Sequence, residues 1–465
     1  MPTTDARGYP VTNAAAAERD IFEKALGEFQ TYTGDPVATI ESALAVQPDF
    51  LLGHVMRAHL MLTATERGLA DEVAKSLAAA VGVARHGTER EQMHLEAAQM
   101  WASGDIDAAS SKLFDLTVRY PKDALALQVG HLSDFYLGNA GMLRDRVASA
   151  LPAWDAADLG YHALLGMHAF GLEECGAYRA AEEVGRRAVD LNPKDSWAIH
   201  AVAHVIEMEG RQQDGIDWMG SRVPDWSVDN FFAVHNWWHW ALYHLDLGEI
   251  EKVLQFYDNH IRAERSEVVL DMLDASAMLW RLTLLGVDVG DRWQELADCW
   301  APLVEDGFYS FNDTHAMMAF VGADRPDLAK ANLARLEAVA GGSNTNAGMA
   351  GDVGVPVARA INAFGEARYD DVIEALLSTR YIAHRFGGSN AQRDILAWTL
   401  VEAALRAGRF ELAEALCHQR LAQKPTSLQN WQMAARAYDG LGHGADAARA
   451  QQRVREIGAA AGSPI

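Results

Sequence analysis

The stretch Leu191-Asn192-Pro193-Lys194-Asp195 decides how the chain is read. It ends an apolar helical pattern with a proline, which cannot continue a helix, and sets an aspartate where a following helix needs a cap. Arg119-Tyr120-Pro121-Lys122-Asp123 and Val46-Gln47-Pro48-Asp49 repeat the arrangement, so that Pro48, Pro121 and Pro193 stand 73 and 72 residues apart. Each interval holds two units of about 36 residues, the length of a helical pair with its turns. Gly138, Gly176, Gly210, Gly248 and Gly408 fall after first-helix patterns, where a tight turn needs a left-handed residue.

A unit of this size lies close to the tetratricopeptide repeat, in which each helix pair packs only on its neighbours. No alternating strand pattern interrupts it. The expected fold is therefore all-α: a tetratricopeptide-like α-solenoid, a right-handed superhelix of antiparallel helix pairs. It is expected to span residues 1–465 as a single body, with the more regular repeats at 390–458. The segment 341–354 is rich in glycine and longer than a helical hairpin needs, and reads as a flexible connection. It is no phosphate cradle, since no strand precedes it and no Lys-Ser/Thr ending follows.

Composition narrows the function classes. With 64 acidic against 40 basic residues the formal charge is −24, and no basic stripe offsets it, which argues against nucleic acid and against an anionic membrane surface as partners. Cys175, Cys299 and Cys417 are widely spaced and odd in number, and read as reduced core thiols. The first twenty residues hold no basic segment leading into an apolar run, and no long uncharged apolar stretch exists elsewhere, so the cytoplasm is the expected location.

His59, His94, His131, His168, His204 and His239 are separated by 35, 37, 37, 36 and 35 residues, and the series resumes at His315 after passing Ser276. One histidine per repeat, on equivalent first helices, predicts a histidine-lined groove. The distance from each histidine to its turn glycine varies between six and nine residues, so the phase drifts and some members face the space between helices. The densest constellation is Trp197 to Glu207, in which offsets of four and three place His200, His204 and Glu207 on one helical face. The next repeat supplies His235 and His239, again four apart, beside Trp237 and Trp238, with Phe231, Phe232 and Tyr243 as apolar walls.

Two chemistries fit these residues. Paired H-x-x-x-H spacing suits a transition metal such as zinc, although neither pair carries the glutamate of the H-E-x-x-H metalloprotease motif. Alternatively, imidazole paired with Glu207 acts as a general acid or base on a bound small molecule, with no cofactor. A polar core network that specifies repeat packing is the plain structural alternative. Further candidates lie C-terminal: Asp313 and His315 at the opening of a helix, and Asn390, Gln392 and Arg393 after the Gly387-Gly388 turn, where Arg393 is placed to clamp a carboxylate. His168 and Trp238 complete the proposed substrate-binding set.

The segments 200–210, His235-Asn236-Trp237-Trp238-His239-Trp240-Ala241-Leu242, Asn312-Asp313-Thr314-His315-Ala316-Met317-Met318 and Gly387-Gly388-Ser389-Asn390-Ala391-Gln392-Arg393-Asp394 resemble the tetratricopeptide repeat protein 38 family. The resemblance spans most of the chain and implies a repeat fold; it carries no catalytic assignment. The expected function is a solenoid that binds a small molecule in a His/Trp-lined inner pocket, of hydrolase or lyase type without cofactor. A peptide-binding scaffold and a His-ligated metalloprotein are the alternatives. Exposed terminal helix faces make a homodimer the expected assembly.

Overall fold

In a computed structural model that describes residues 3–460, helices account for nearly all regular structure. Only two isolated bridges and no strand occur among the described residues. The chain is an all-α helical-repeat protein of tetratricopeptide-like solenoid class. Of the range 1–465, residues 1–2 and 461–465 lie outside the described residues. The chain divides into two compact units, Met1–Val202 with Val223–Ala233, and Ala203–Arg222 with Val234–Ile465.

The first unit is a succession of hairpins: Ala16–Thr31 with Pro36–Val46, Leu51–Leu62 with Ala70–Val83, Glu89–Ala102 with Ile106–Arg119, Ala124–Tyr136 with Ala140–Ala150, and Tyr161–Glu174 with Tyr178–Leu191. The first helix of a pair is enclosed almost all round. In Ala124–Tyr136 every residue from Ala124 to Asp134 is buried, as expected of a helix that is apolar on every side. The second helix is an outer one: Tyr178–Leu191 buries only Ala181, Gly185, Ala188 and Val189. Those small residues let the pair approach closely.

The proline turns behave as read in two cases of three. Asp123 accepts from the Ala126 N–H and Asp195 from the Ala198 N–H, both at 2.9 Å, capping the helices that follow. Asp49 does not cap. The Leu51–Leu62 helix starts from Phe50, whose fully buried ring packs edge-on against Phe22, so an apolar anchor sets that entry. All five turn glycines take positive φ, between +62° and +77°.

In the second unit the pairs continue with Val269–Leu284 and Arg292–Trp300, Ser310–Gly322 and Pro326–Ala340, Val355–Gly365 and Tyr369–Thr379, Asn390–Arg406 and Phe410–Gln423, and Leu428–Leu441 and Gly444–Ala460. The segment 341–354 is not the expected open connection. It folds as the short helix Thr345–Met349 and a π-helical turn Ala350–Gly354 that runs into the next helix. Two asparagines explain this. Asn344 caps the short helix at the Ala347 N–H, and buried Asn346 accepts from the Ser310 N–H (2.8 Å) and hydroxyl (2.7 Å) while donating to the Gly307 carbonyl (3.1 Å).

Candidate functional site

The histidine period is structural: His59, His94, His131, His168, His204, His239 and His315 each sit on the first helix of a pair. Their setting differs from the expected groove. His59, His94, His131, His204 and His239 have no exposed surface and His315 has 2%, because first helices are enclosed by their neighbours. His168, in the first unit, is half-buried.

In the first unit, carboxylates partner two of the histidines. Asp123 accepts from His94 Nε2 (3.0 Å) and Arg90 (3.0 Å), and Asp195 from His162 Nδ1 (2.7 Å). Burial alone would raise the Asp123 carboxyl, but His94 and Arg90 hold it well below the carboxylate range. His200, on the first-unit portion of the Ser196–Met208 helix, lies among Trp197, Phe170 and Phe232. Phe231 is 47% exposed and is not the wall expected of it.

The second unit builds the densest site. Ser196–Met208 contributes His204 and Glu207, Ala233–Asp246 contributes His235, Trp238 and His239, and Val269–Leu284 contributes Asp274 and Arg281. Polar contacts of 3.2 Å or less join five side chains in one line. Asp274 Oδ2 accepts from His235 Nδ1 at 2.8 Å, and His235 Nε2 stands 3.2 Å from His239 Nε2. His239 Nδ1 then donates to Glu207 Oε2 at 3.2 Å, and Lys424 Nζ donates to Glu207 Oε1 at 3.2 Å. An ionised carboxylate only accepts, so each Nδ1 carries a proton, and the two Nε2 atoms face each other across a gap that a proton or a cation fills. The His204 ring lies 4.4 Å from that of His239, centroid to centroid. Buried Trp238 stacks on His235, and Arg281 approaches the same indole at 5.1 Å.

Four carboxylates, Asp274, Glu207, Asp246 and Asp394, face three cations, Arg281, Arg420 and Lys424, around the line. Burial and the neighbouring imidazoles of His204 and His235 push His239 well below its ordinary value, so it is neutral near pH 7. Burial opposes the charge on Lys424, but Glu207, Asp394 and Asp246 outweigh it and raise its pKa. Arg420 grips Asp394 through two bonds, of 2.7 and 3.0 Å. Burial lowers Arg281 to about 10, which leaves it charged. Glu207, Asp246, Arg281, Asp394, Arg420 and Lys424 all face one polar cavity of about 30 Å³, with Gln212, Tyr243 and Gln429 among its other walls. That volume accommodates a water molecule or two and is smaller than the metabolite-sized pocket expected.

The remaining candidates do other things. Gln392 closes a capping box with Ser389, and Arg393, placed by its spacing to clamp a carboxylate, donates instead to the Gly387 and Gly388 carbonyls and to Asn390 Oδ1. They hold the Gly-Gly turn in shape. His315 Nδ1 donates to the Phe311 carbonyl (2.8 Å) within its own helix, and burial lowers its pKa to about 4. Burial, with Asp306 nearby, raises Asp313 to about 7. Asp274, Arg281, Asp394, Arg420 and Lys424 are the site residues that repeat spacing did not reveal. With Asp271, Asp274 and Arg281 are the charges of an otherwise largely apolar helix, and that composition is readable.

No protein-family model matches the chain. Among solved structures it is similar to a human IFIT1 dimer with PPP-AAAA, at 12% identity over 96% of each chain and a TM-score of 0.41. It is also similar to yeast Tom70, at 12% identity over 94% of this chain and 88% of that one, with a TM-score of 0.35. No helix among the described residues is long and apolar enough to cross a membrane.

Proposed function

We propose that the second unit houses a hydrolase- or lyase-type centre for a small polar molecule, with Glu207 as the general base and His239 positioning it. One observation carries this reading: the line of polar contacts from Asp274 through His235 and His239 ends on Glu207, and Glu207 forms a wall of a water-sized cavity. A water held there would meet Glu207 Oε1, which also accepts from Lys424, while Oε2 is fixed by the His239 N–H, so that a shift of Lys424 toward substrate would free Oε1 to act as the base. Arg281, Arg420 and Lys424 line the same space and suit a substrate bearing oxygen acceptors or developing negative charge. Displacement of the cavity water and small shifts of the surrounding side chains would admit such a substrate. The local motifs support placing the chain with the tetratricopeptide repeat protein 38 family, whose chemistry this reading would supply.

The test is a turnover and thermal-shift survey of small esters, amides, lactones and hydroxy acids with the full chain. One chemical class should raise the melting temperature and be consumed. Glu207→Gln and His239→Gln, each folded by circular dichroism, should lower kcat/KM by about 10²–10⁴-fold. Consumption of no class, or equal rates in wild type and both variants, would reject the enzyme reading and leave a binding scaffold.

A further inference from the structure

The facing ring nitrogens of His235 and His239 mark a further site. His235 Nδ1 donates to Asp274 and His239 Nδ1 donates to Glu207, which turns the Nε2 atoms of the two rings toward each other. Those two nitrogens stand 3.2 Å apart in a fully buried setting. At that distance a proton held between the two nitrogens, or a metal ion bound by both, fills the gap. A tetrahedral zinc ion, with Zn–N of about 2.0–2.1 Å, holds two imidazole nitrogens about 3.3–3.4 Å apart. His204 adds a third imidazole, and one ring nitrogen from each of His204, His235 and His239 lies within 4.8 Å of the others.

From this arrangement we infer that His204, His235 and His239 bind a divalent first-row transition metal of the zinc class. Three neutral imidazoles form a donor set that favours such ions over magnesium or calcium, which prefer oxygen. Asp274 and Glu207 then have a second task. Each accepts the Nδ1 proton of a ligand histidine, which fixes the tautomer, aims Nε2 and strengthens it as a donor, as carboxylates behind metal-ligating histidines do. Neighbouring Trp238 helps fix the His235 ring by stacking on it. The metal site stands on its own geometry whether or not the adjoining cavity is catalytic.

The experiment uses the untagged full chain, purified without chelator after growth in zinc-supplemented medium. Elemental analysis should find about one zinc per chain. After stripping and reloading with cobalt(II), the protein should show the intense visible absorption of a tetrahedral site, and X-ray absorption of the zinc form should show about three imidazole nitrogens at about 2.0–2.1 Å. Asp274→Asn should weaken zinc about 10-fold or more against a chromogenic chelator, and His239→Ala, if folded by circular dichroism, should abolish the cobalt spectrum. If His239→Ala fails to fold, the absorption spectra and the Asp274→Asn titration decide. A protein that is metal-free and takes up no cobalt carries a shared proton between the rings instead, and the inference is overturned. Unchanged binding in folded His239→Ala, or oxygen or sulfur donors at the metal, overturns it equally. Metal without turnover would sink the proposed function alone, and turnover without metal would sink this site alone.

Discussion

Replacing Asp123 with asparagine isolates a single charge at the most connected carboxylate of the first unit. Asparagine is as good an N-cap as aspartate, so the bond from the Ala126 N–H survives, while the negative charge facing Arg90 and His94 is lost. Arg90 and Asp123 are both almost completely buried, and removing one partner of such a pair ordinarily costs about 3–5 kcal/mol. Asp5 remains 2.8 Å from the same guanidinium nitrogen and retains part of the compensation, which places the cost near the lower end, about 3 kcal/mol. At about 2–4 °C per kcal/mol for a unit of this size, the first-unit melting transition should fall by about 6–12 °C, read by calorimetry. Asp123→Ala should lose about 1 kcal/mol more with the cap. The folded carboxyl is held below its unfolded value of about 3.9, so its stabilisation is complete above that pH and fades as pH falls further. The difference between wild type and Asp123→Asn should therefore shrink in acid. A shift under about 2 °C at pH 7, or a difference that grows in acid, would refute the reasoning.

Other positions give independent checks. Gly130→Ala would improve helix propensity by about 1 kcal/mol on an exposed helix, but here the new Cβ would sit 2.8 Å from the guanidinium of Arg146, itself pinned by Asp134 and Ser110. Chemical denaturation should show a net loss of about 1–3 kcal/mol. Asp313 ionises at about 7 in the fold against about 3.9 unfolded, so wild-type stability should decline as pH rises from about 4 to 7. Asp313→Asn should flatten that part of the pH–stability curve, and an unchanged slope would assign it to other groups. Tyr243→Phe removes a buried 2.7 Å bond to the Ala203 carbonyl and should cost about 1–3 kcal/mol in denaturant unfolding without altering the ring packing.

The helical pairs were legible because their punctuation is chemical: a proline stops a helix, Asp123 and Asp195 start the next, and glycine takes the left-handed turn. The histidine period survived for the same reason, since one first helix recurs per pair. Its meaning did not, because periodicity fixes the helix but not the face, and these faces are enclosed. His204, Glu207, His235 and His239 could be gathered from neighbouring repeats. Lys424, 217 residues from the Glu207 it binds, has no spacing that betrays the contact. Asp274 escapes the histidine spacing because that register passes through Ser276, two residues further along the same helix. At 341–354 glycine content suggested a loop, yet the bonds of Asn346 to Ser310 and Gly307 outweigh that tendency.

The most direct test of the buried line is nitrogen NMR of the ring atoms of His235 and His239 in histidine-labelled protein, assigned with single His→Gln variants. Both rings should carry the proton on Nδ1, as donation to Asp274 and Glu207 demands. An Nε2-protonated neutral ring at either position would break the line at its carboxylate and remove the basis of both the proposed centre and the metal site.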